Sequence, residues 1–439
     1  MKRVLVLGAG LVAGPLVRYL LDVPGFRVTV ASRTVEKAER LIGGVPNGTA
    51  LALDVKNEAA LASLVAEHDL SISLLPYVYH PLVARLCIER RKSMVTTSYV
   101  KDEMWALDGA AKDAGVILLN EIGVDPGIDH MSAMQVIHRI ETSGGTLVSF
   151  TSNTGGLPAP DANDNPFGYK FSWAPRGVIL AGKNPARYLK DGEVVNVPGP
   201  ELFAHHSSCQ IAGFGDLEVY PNRDSLPYIE AYSISTVRSM FRGTLRYPGW
   251  CDTVKAIVDL GLLDETKRDD LAGLTFGGLT ARRIGSDGAD LKRDLAGHLG
   301  IAIDAKPIAD LEWLGLLGNE RIPPEDATYL DVVASRMLSK MRYAPGERDM
   351  LVMQHEFVVE YPDRTDRIVS TMIDYGVPNG DSSMSRLVGL PAAIAARRIL
   401  QSEIDVVGVH TPVIREIYEP ILTELGAIGV SFRETVEPA

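Results

Sequence analysis

Three short segments of this 439-residue chain collect unusual polar residues. They are "LLPYVYHP" from Leu74 to Pro81, "TTSYV" from Thr96 to Val100, and "NEIGVDPGIDH" from Asn120 to His130. Between them they hold His80, Ser98, Tyr99 and Asp125. Polar residues gathered in short segments that end strands are candidates to meet at one ligand. A second group is cationic. "NPFGYKFSW", "YPNRDS" and "RGTLRYPG" place Lys170, Arg223, Arg242 and Arg246 in Gly/Pro-rich segments rather than on helix faces. A guanidinium fork there matches a carboxylate bidentately. Each residue also has a plainer use. Pro76 can stop a strand, His80 can start a helix, and Ser98 can cap the helix around Met104. Asp125 followed by Pro126 reads as a helix N-cap with proline at the first helical position. Any one of the loop cations can be a solvated charge.

A further signal lies at the start of the chain. "VLVLGAGLVAGPL" contains Gly8-x-Gly10-x-x-Ala13 directly after an apolar run and opening a helical pattern. Gly8 permits the tight turn, Gly10 lets a pyrophosphate approach the backbone, and Ala13 allows close helix–strand packing. The helix N-terminus then favours an anion through its free N–H groups and its dipole. The next strand-like run, "VTVASRT", ends in Ser32-Arg33-Thr34 where an acid would accept from the ribose 2′-hydroxyl of NAD. An arginine there pairs instead with a 2′-phosphate, flanked by two hydroxyls. The expected cofactor is NADP(H) in preference to NAD(H); the plainer alternative is a surface arginine.

These residues need elements to hold them. Up to about residue 125, strand-like runs at Val4–Leu7, Val28–Ala31, Ala50–Leu53, Leu70–Leu74, Met94–Thr97 and Val116–Leu119 alternate with helical patterns at Leu11–Leu20, Glu58–Glu67 and Leu82–Glu89. Such alternation predicts an α/β fold, a Rossmann-type doubly wound parallel sheet with helices on both faces. Ligands then gather beyond the carboxyl ends of the strands, where the first three segments fall. From about 145 to 245 strand-like runs and long loops suggest an α+β domain. Residues 250 to 345 carry helical spacing, a strand returns at "DMLVMQHEFVVEY", and final helices follow. The expected division is 1–125 with 385–439 as the dinucleotide-binding domain. Residues 126–384 then form a second domain that includes the helical part.

Composition narrows the class. Apolar residues make up 46% and charged residues 23%, as in a soluble globular protein. A net charge of −12 disfavours nucleic acid or an anionic membrane as partner. Cys87, Cys209 and Cys251 form no CxxC pair and no zinc-spaced cluster, so no metal is expected and a reducing cytoplasm fits. "MKRVLVLGAG" imitates a signal peptide, but its glycine spacing favours a first strand.

Taken together, "GAGLVAGPL", "SLLPYVYHP", "VTTSYV", "NEIGVDPGIDHM", "GGLPAPDANDNPFGYKFSW", "YPNRDS" and "RGTLRY" resemble the saccharopine dehydrogenase (NADP, L-glutamate-forming; saccharopine reductase) family. "PGERDMLVMQHEF" and "GLPAAIAARRIL" extend the likeness across nearly the whole chain. The resemblance implies a nucleotide domain built from both chain ends and a substrate and dimer-forming domain between them. It also implies a reversible reaction of lysine metabolism, in which glutamate condenses with α-aminoadipate semialdehyde and NADPH reduces the imine to saccharopine. Asp125, Tyr99 and Lys170 become its acid–base candidates. Ser98, Tyr99, Asp125, Arg223, Thr244, Leu245 and Arg246 become substrate contacts. Gly8, Ala9, Gly10, Leu11, Val12, Ser32, Arg33, Thr34, Asp54, Val55, Leu74, Leu75, Thr97, Ser98, Val124 and Trp173 become cofactor contacts. One departure is Thr154 in "SNTGGLPAP", where the family segment often has a cysteine, which puts any thiol role in doubt. Two rival functions are a related imine reductase such as carboxynorspermidine dehydrogenase, with altered carboxylate clamps, and a sensor that binds NADPH without turnover.

Overall fold

The first strand, β1 (Lys2–Leu7), is exposed only at its first two residues and then buried on both faces. A run buried on both faces is what a central strand of a parallel sheet requires. The computed structural model describes residues 1–172 and 175–439. They form two units, Met1–Gly145 with Gly380–Phe432, and Thr146–Asn379 with Arg433–Ala439.

After β1, the first unit continues with α1 (Ala13–Asp22), β2 (Phe26–Ser32), α2 (Val35–Ile42), β3 (Gly48–Ala52) and α3 (Glu58–Glu67). Next come β4 (Leu70–Ser73), α4 (His80–Glu89), β5 (Ser93–Thr96), α5 (Asp102–Trp105), α6 (Asp108–Ala114), β6 (Ile117–Leu119) and α7 (Ile128–Thr142).

In the second unit the strands are β7 (Thr146–Pro158), β8 (Ala186–Lys190), β9 (Glu193–Val197), β10 (Ser207–Ile211), β11 (Gly215–Pro221), β12 (Ser239–Arg246), β13 (Asp349–Glu360) and β14 (Thr365–Tyr375). Its helices are α8 (Pro175–Ile179), α9 (Pro227–Ala231), α10 (Trp250–Asp259), α11 (Phe276–Ile284), α12 (Leu291–Leu299), α13 (Lys306–Leu314) and α14 (Tyr329–Lys340). The chain then re-enters the first unit with α15 (Ser383–Leu400), β15 (Gly408–His410) and α16 (Arg415–Ala427), and ends in β16 (Arg433–Pro438).

The first sheet has the order β15-β6-β5-β4-β1-β2-β3, and every pairing in it is parallel. This is the doubly wound arrangement the alternation predicted. Sequence periodicity passed over β15, whose three residues are too few to show a pattern, and α2. Helix α15 packs on α1 through Gly389, where a Cβ would lie 2.9 Å from the Val12 carbonyl oxygen. The unit boundaries fall elsewhere than at 125/126 and 384/385. Helix α7 packs against α16 and stays with the first unit, while β16 pairs with β14 in the second sheet.

The second sheet runs β10-β11-β12-β7-β13-β14-β16, with β8 and β9 attached beside β12. Only β12 and β7 pair in parallel along that path. Gly155 permits their close approach, since a Cβ there would lie 2.7 Å from Leu245. Trp250, Leu311 and Leu330 belong to a separate hydrophobic cluster formed largely by α10–α14. No helix among the described residues is long and apolar enough to cross a membrane.

Candidate active site

The carboxyl ends of the parallel strands carry most of the cofactor residues expected from the sequence. Gly8 leaves β1 at φ +111°, and a Cβ would sit 3.1 Å from the Leu74 carbonyl oxygen, so only glycine fits without strain. Beyond Ala9, Gly10 faces open space, with nothing within 4 Å of a built Cβ. Leu11 is 72% exposed, Val12 occupies the N-cap position, and Ala13 is fully buried as α1 begins. No side chain caps α1 and no acid lies in its first turn. Those N–H groups and the dipole therefore suit an anion.

At the end of β2, the Ser32 hydroxyl accepts from the Thr34 N–H at 3.2 Å. Arg33 is exposed and has no ion-pair partner among the described residues. Beyond β3, Asp54 is exposed, its Oδ1 accepts from the Lys56 N–H at 3.0 Å, and Val55 is buried. Leu74 and Leu75 follow β4, Thr97 and Ser98 follow β5, and Val124 follows β6. An open glycine turn, an uncapped helix start and an unpaired arginine fit a dinucleotide with a 2′-phosphate. Trp173 lies outside the described residues.

Next to this rim the Tyr99 hydroxyl donates to Asp125 Oδ1 at 2.9 Å, joining two of the predicted acid–base residues. The capping roles offered by the sequence are not the ones adopted. Helix α7 starts at Ile128 with Gly127 at its cap position, because the Gly123 N–H bonds back to the Pro126 carbonyl and closes a turn first. Asp125 therefore lies ahead of the helix, and Asp129 Oδ1 receives the Gly127 N–H at 2.6 Å. Likewise Lys101, not Ser98, occupies the N-cap of α5. The Ser98 hydroxyl instead lies 2.9 Å from His80 Nε2.

His80 does open α4, and it does more than the sequence suggested. Its Nδ1 is 2.9 Å from Ser73 Oγ, and Nε2 is also 3.1 Å from Thr96 Oγ1. The ring thus ties β4, β5 and the Ser98 turn together. Burial disfavours its cation and lowers its pKa to about 4. Sequence reading also missed Glu121, whose partners come from two separate segments. Its Oε1 accepts from the Val100 N–H and its Oε2 lies against His130 Nε2, both at 2.8 Å.

In the second unit, Arg242 and Arg246 lie in β12 rather than in loops, and they are 2% and 4% exposed rather than solvated. The flanking Gly and Pro residues disguise a strand. The Arg246 guanidinium stands over Tyr169, Trp250 and Tyr220 at 5.0, 5.6 and 5.7 Å. Its Nη1 donates to the Leu245 carbonyl at 2.7 Å, while Nε has no hydrogen-bond partner among the described residues. No carboxylate pairs with it there either. Thr244 lies beside it on β12 and hydrogen-bonds Tyr220, whose pKa burial raises. Leu245 is fully buried in the sheet core.

Arg223 is exposed, at φ +57° in the turn after β11. Thr154 lies in mid-sheet, in register with Thr244 and Met353, and its Oγ1 has no partner among the described residues. Lys170 is only 3% exposed and is held by Glu347 at 2.7 Å and Asp164 at 2.8 Å. Burial pulls its pKa down, but the two carboxylates together outweigh it and hold the ammonium above the ordinary lysine value. A lysine so paired is a poor proton donor near neutrality, so its geometry speaks for a structural cation.

Two family models match the chain. "Saccharopine dehydrogenase NADP binding domain" covers residues 4–119 and "Saccharopine dehydrogenase C-terminal domain" covers residues 123–430. The chain is 41% identical to a saccharopine dehydrogenase [NADP(+), L-glutamate-forming] of Schizosaccharomyces pombe, over 99% of both chains. It is 40% identical to a mitochondrial alpha-aminoadipic semialdehyde synthase of Bos taurus, over 98% of this chain and 47% of that protein. Among solved structures, apo saccharopine dehydrogenase (L-Glu forming) from Saccharomyces cerevisiae superimposes with TM-score 0.91 and 37% identity, covering all of both chains.

Proposed function

The chain belongs to the saccharopine dehydrogenase family, and we propose that it catalyses the glutamate-forming reaction for which its relatives are named. It is an NADP-dependent oxidoreductase acting on a CH–NH bond. Saccharopine, NADP⁺ and water give glutamate, α-aminoadipate semialdehyde, NADPH and a proton, and the reaction is reversible. The observation that carries this reading is Arg246. A buried guanidinium without a protein carboxylate is costly unless an anion joins it, and the substrate has three carboxylates.

Bound NADP⁺ supplies the hydride acceptor. Gly8 to Ala13 and the first turn of α1 hold its pyrophosphate, and Arg33 with Ser32 and Thr34 holds the 2′-phosphate. Arg246, with Thr244 and exposed Arg223, holds substrate carboxylates. Asp125 takes the proton of the secondary ammonium, leaving a neutral amine whose lone pair can assist loss of hydride. Tyr99 donates to Oδ1 and fixes the carboxylate for that task. When water adds to the imine carbon, the same pair moves the proton from oxygen to nitrogen, and the C–N bond then breaks to free glutamate. A cytoplasmic homodimer belongs to this reading, and three free cysteines support a reducing compartment.

Replacing Arg246 with Ala tests it. The KM for saccharopine should rise roughly a hundredfold, the scale of a lost charge-assisted contact, while the KM for NADP⁺ stays within about twofold. Equal rises in both would refute the clamp.

A further inference from the structure

One buried carboxylate in the first unit joins the loop that carries Tyr99 to the helix that follows Asp125. Glu121 leaves β6 at φ +57°, a left-handed conformation that costs free energy for every residue except glycine. It is only 4% exposed. In that conformation its backbone N–H reaches the Ser98 carbonyl at 3.2 Å, and the next residue, Ile122, bonds the Thr96 carbonyl at 3.2 Å. The side chain turns back beside the same loop. Its Oε1 takes the Val100 N–H at 2.8 Å, one residue past Tyr99. Its Oε2 lies 2.8 Å from Nε2 of His130, which is 1% exposed on α7. A carboxylate oxygen accepts, so that ring nitrogen carries the hydrogen. Asp125 sits between these two anchors, in the turn whose Gly123 and Val124 carbonyls receive the Ile128 and Asp129 N–H groups.

We propose that Glu121 is the positioning residue of the Tyr99–Asp125 pair, its carboxylate fastening the loop of residues 97–100 to α7. The strained backbone is retained because it aims both carboxylate oxygens at once, and a pair that must meet at 2.9 Å tolerates little drift. Glu121 itself touches no reacting atom.

The inference rests on the acid–base reading of Tyr99 and Asp125, so its test has two readouts. In Glu121→Ala, amide exchange across residues 97–104 should accelerate at least about tenfold, whatever the reaction, because the Val100 N–H loses its acceptor. The kcat for saccharopine should fall about tenfold or more with the KM for NADP⁺ within twofold. In a Tyr99→Phe background the same substitution should cost less than about threefold, since the pair it positions is already broken. Unchanged exchange at residues 97–104, or the full tenfold loss repeated on Tyr99→Phe, overturns the proposal. If Glu121→Ala does not fold, Glu121→Gln keeps the volume and the acceptor toward Val100 but opposes His130 Nε2–H with a second donor. It carries the same two readouts, with exchange now judged at the His130 end of the latch. Wild-type protein that never turns over saccharopine defeats the functional reading alone, and the exchange result still decides the latch.

Discussion

Replacing His80 with Asn should change the pH dependence of stability by an amount the structure sets. The imidazole is 2% exposed and faces three hydroxyls, from Ser73, Thr96 and Ser98. Burial lowers its pKa from 6.5 to about 4, so the folded protein favours the neutral ring. Its contribution is fully present above the unfolded value of 6.5 and is lost as the pH falls toward 4. Between about pH 7.5 and about pH 4.5 the unfolded chain binds a proton here that the folded chain resists, which is worth about 2.5 kcal/mol. Asparagine does not titrate in this range. At neutral pH the variant should be less stable by about 1–3 kcal/mol, through lost hydrogen bonds to the hydroxyls. On acidification that gap should shrink by about 2.5 kcal/mol and close or reverse. Urea unfolding of both proteins, followed by circular dichroism at the two pH values, measures it. A gap that stays constant within about 0.5 kcal/mol would refute a buried neutral histidine.

Two other substitutions separate roles that the sequence left open. Arg33→Ala should raise the KM for NADP⁺ roughly tenfold to a hundredfold and leave that for NAD⁺ nearly unchanged, the expected loss of a charge-assisted phosphate contact. Equal losses would make Arg33 a loop charge. Lys170→Met should cost about 2 kcal/mol of stability, below the range for a fully buried pair because Asp164 is 65% exposed, and change kcat less than about threefold. A hundredfold fall in kcat with unchanged stability would restore Lys170 as the acid–base group.

The legible parts of this chain were the local ones. Strand β1, the Gly8 turn and α1 are adjacent in sequence, so periodicity and glycine spacing specify them without knowledge of distant residues. The strand ends carrying Ser98, Tyr99 and Asp125 followed from the same alternation. What stayed hidden depends on distant partners. Lys170 reads as a loop cation until Glu347, far along the chain, closes on it. Asp125 reads as a helix cap because aspartate suits an N-cap and proline the first helical position, and only the turn closed by Gly123 and Pro126 moves the helix start to Ile128. Arg246 looked irregular because its neighbours include Gly243 and Pro248. Pairing with β11 and β7 makes the segment a strand and buries the charge. Glu121 carries no sequence signal for its left-handed backbone, which the bonds to Ser98, Val100 and His130 hold in place.

Steady-state turnover of saccharopine by the purified wild-type protein, with NADP⁺ and with NAD⁺ as alternative acceptors, tests the central claim most directly. The account predicts saccharopine-dependent formation of NADPH with glutamate as product, and a kcat/KM for NADP⁺ at least about tenfold above that for NAD⁺. No saccharopine-dependent reduction of either cofactor would contradict it.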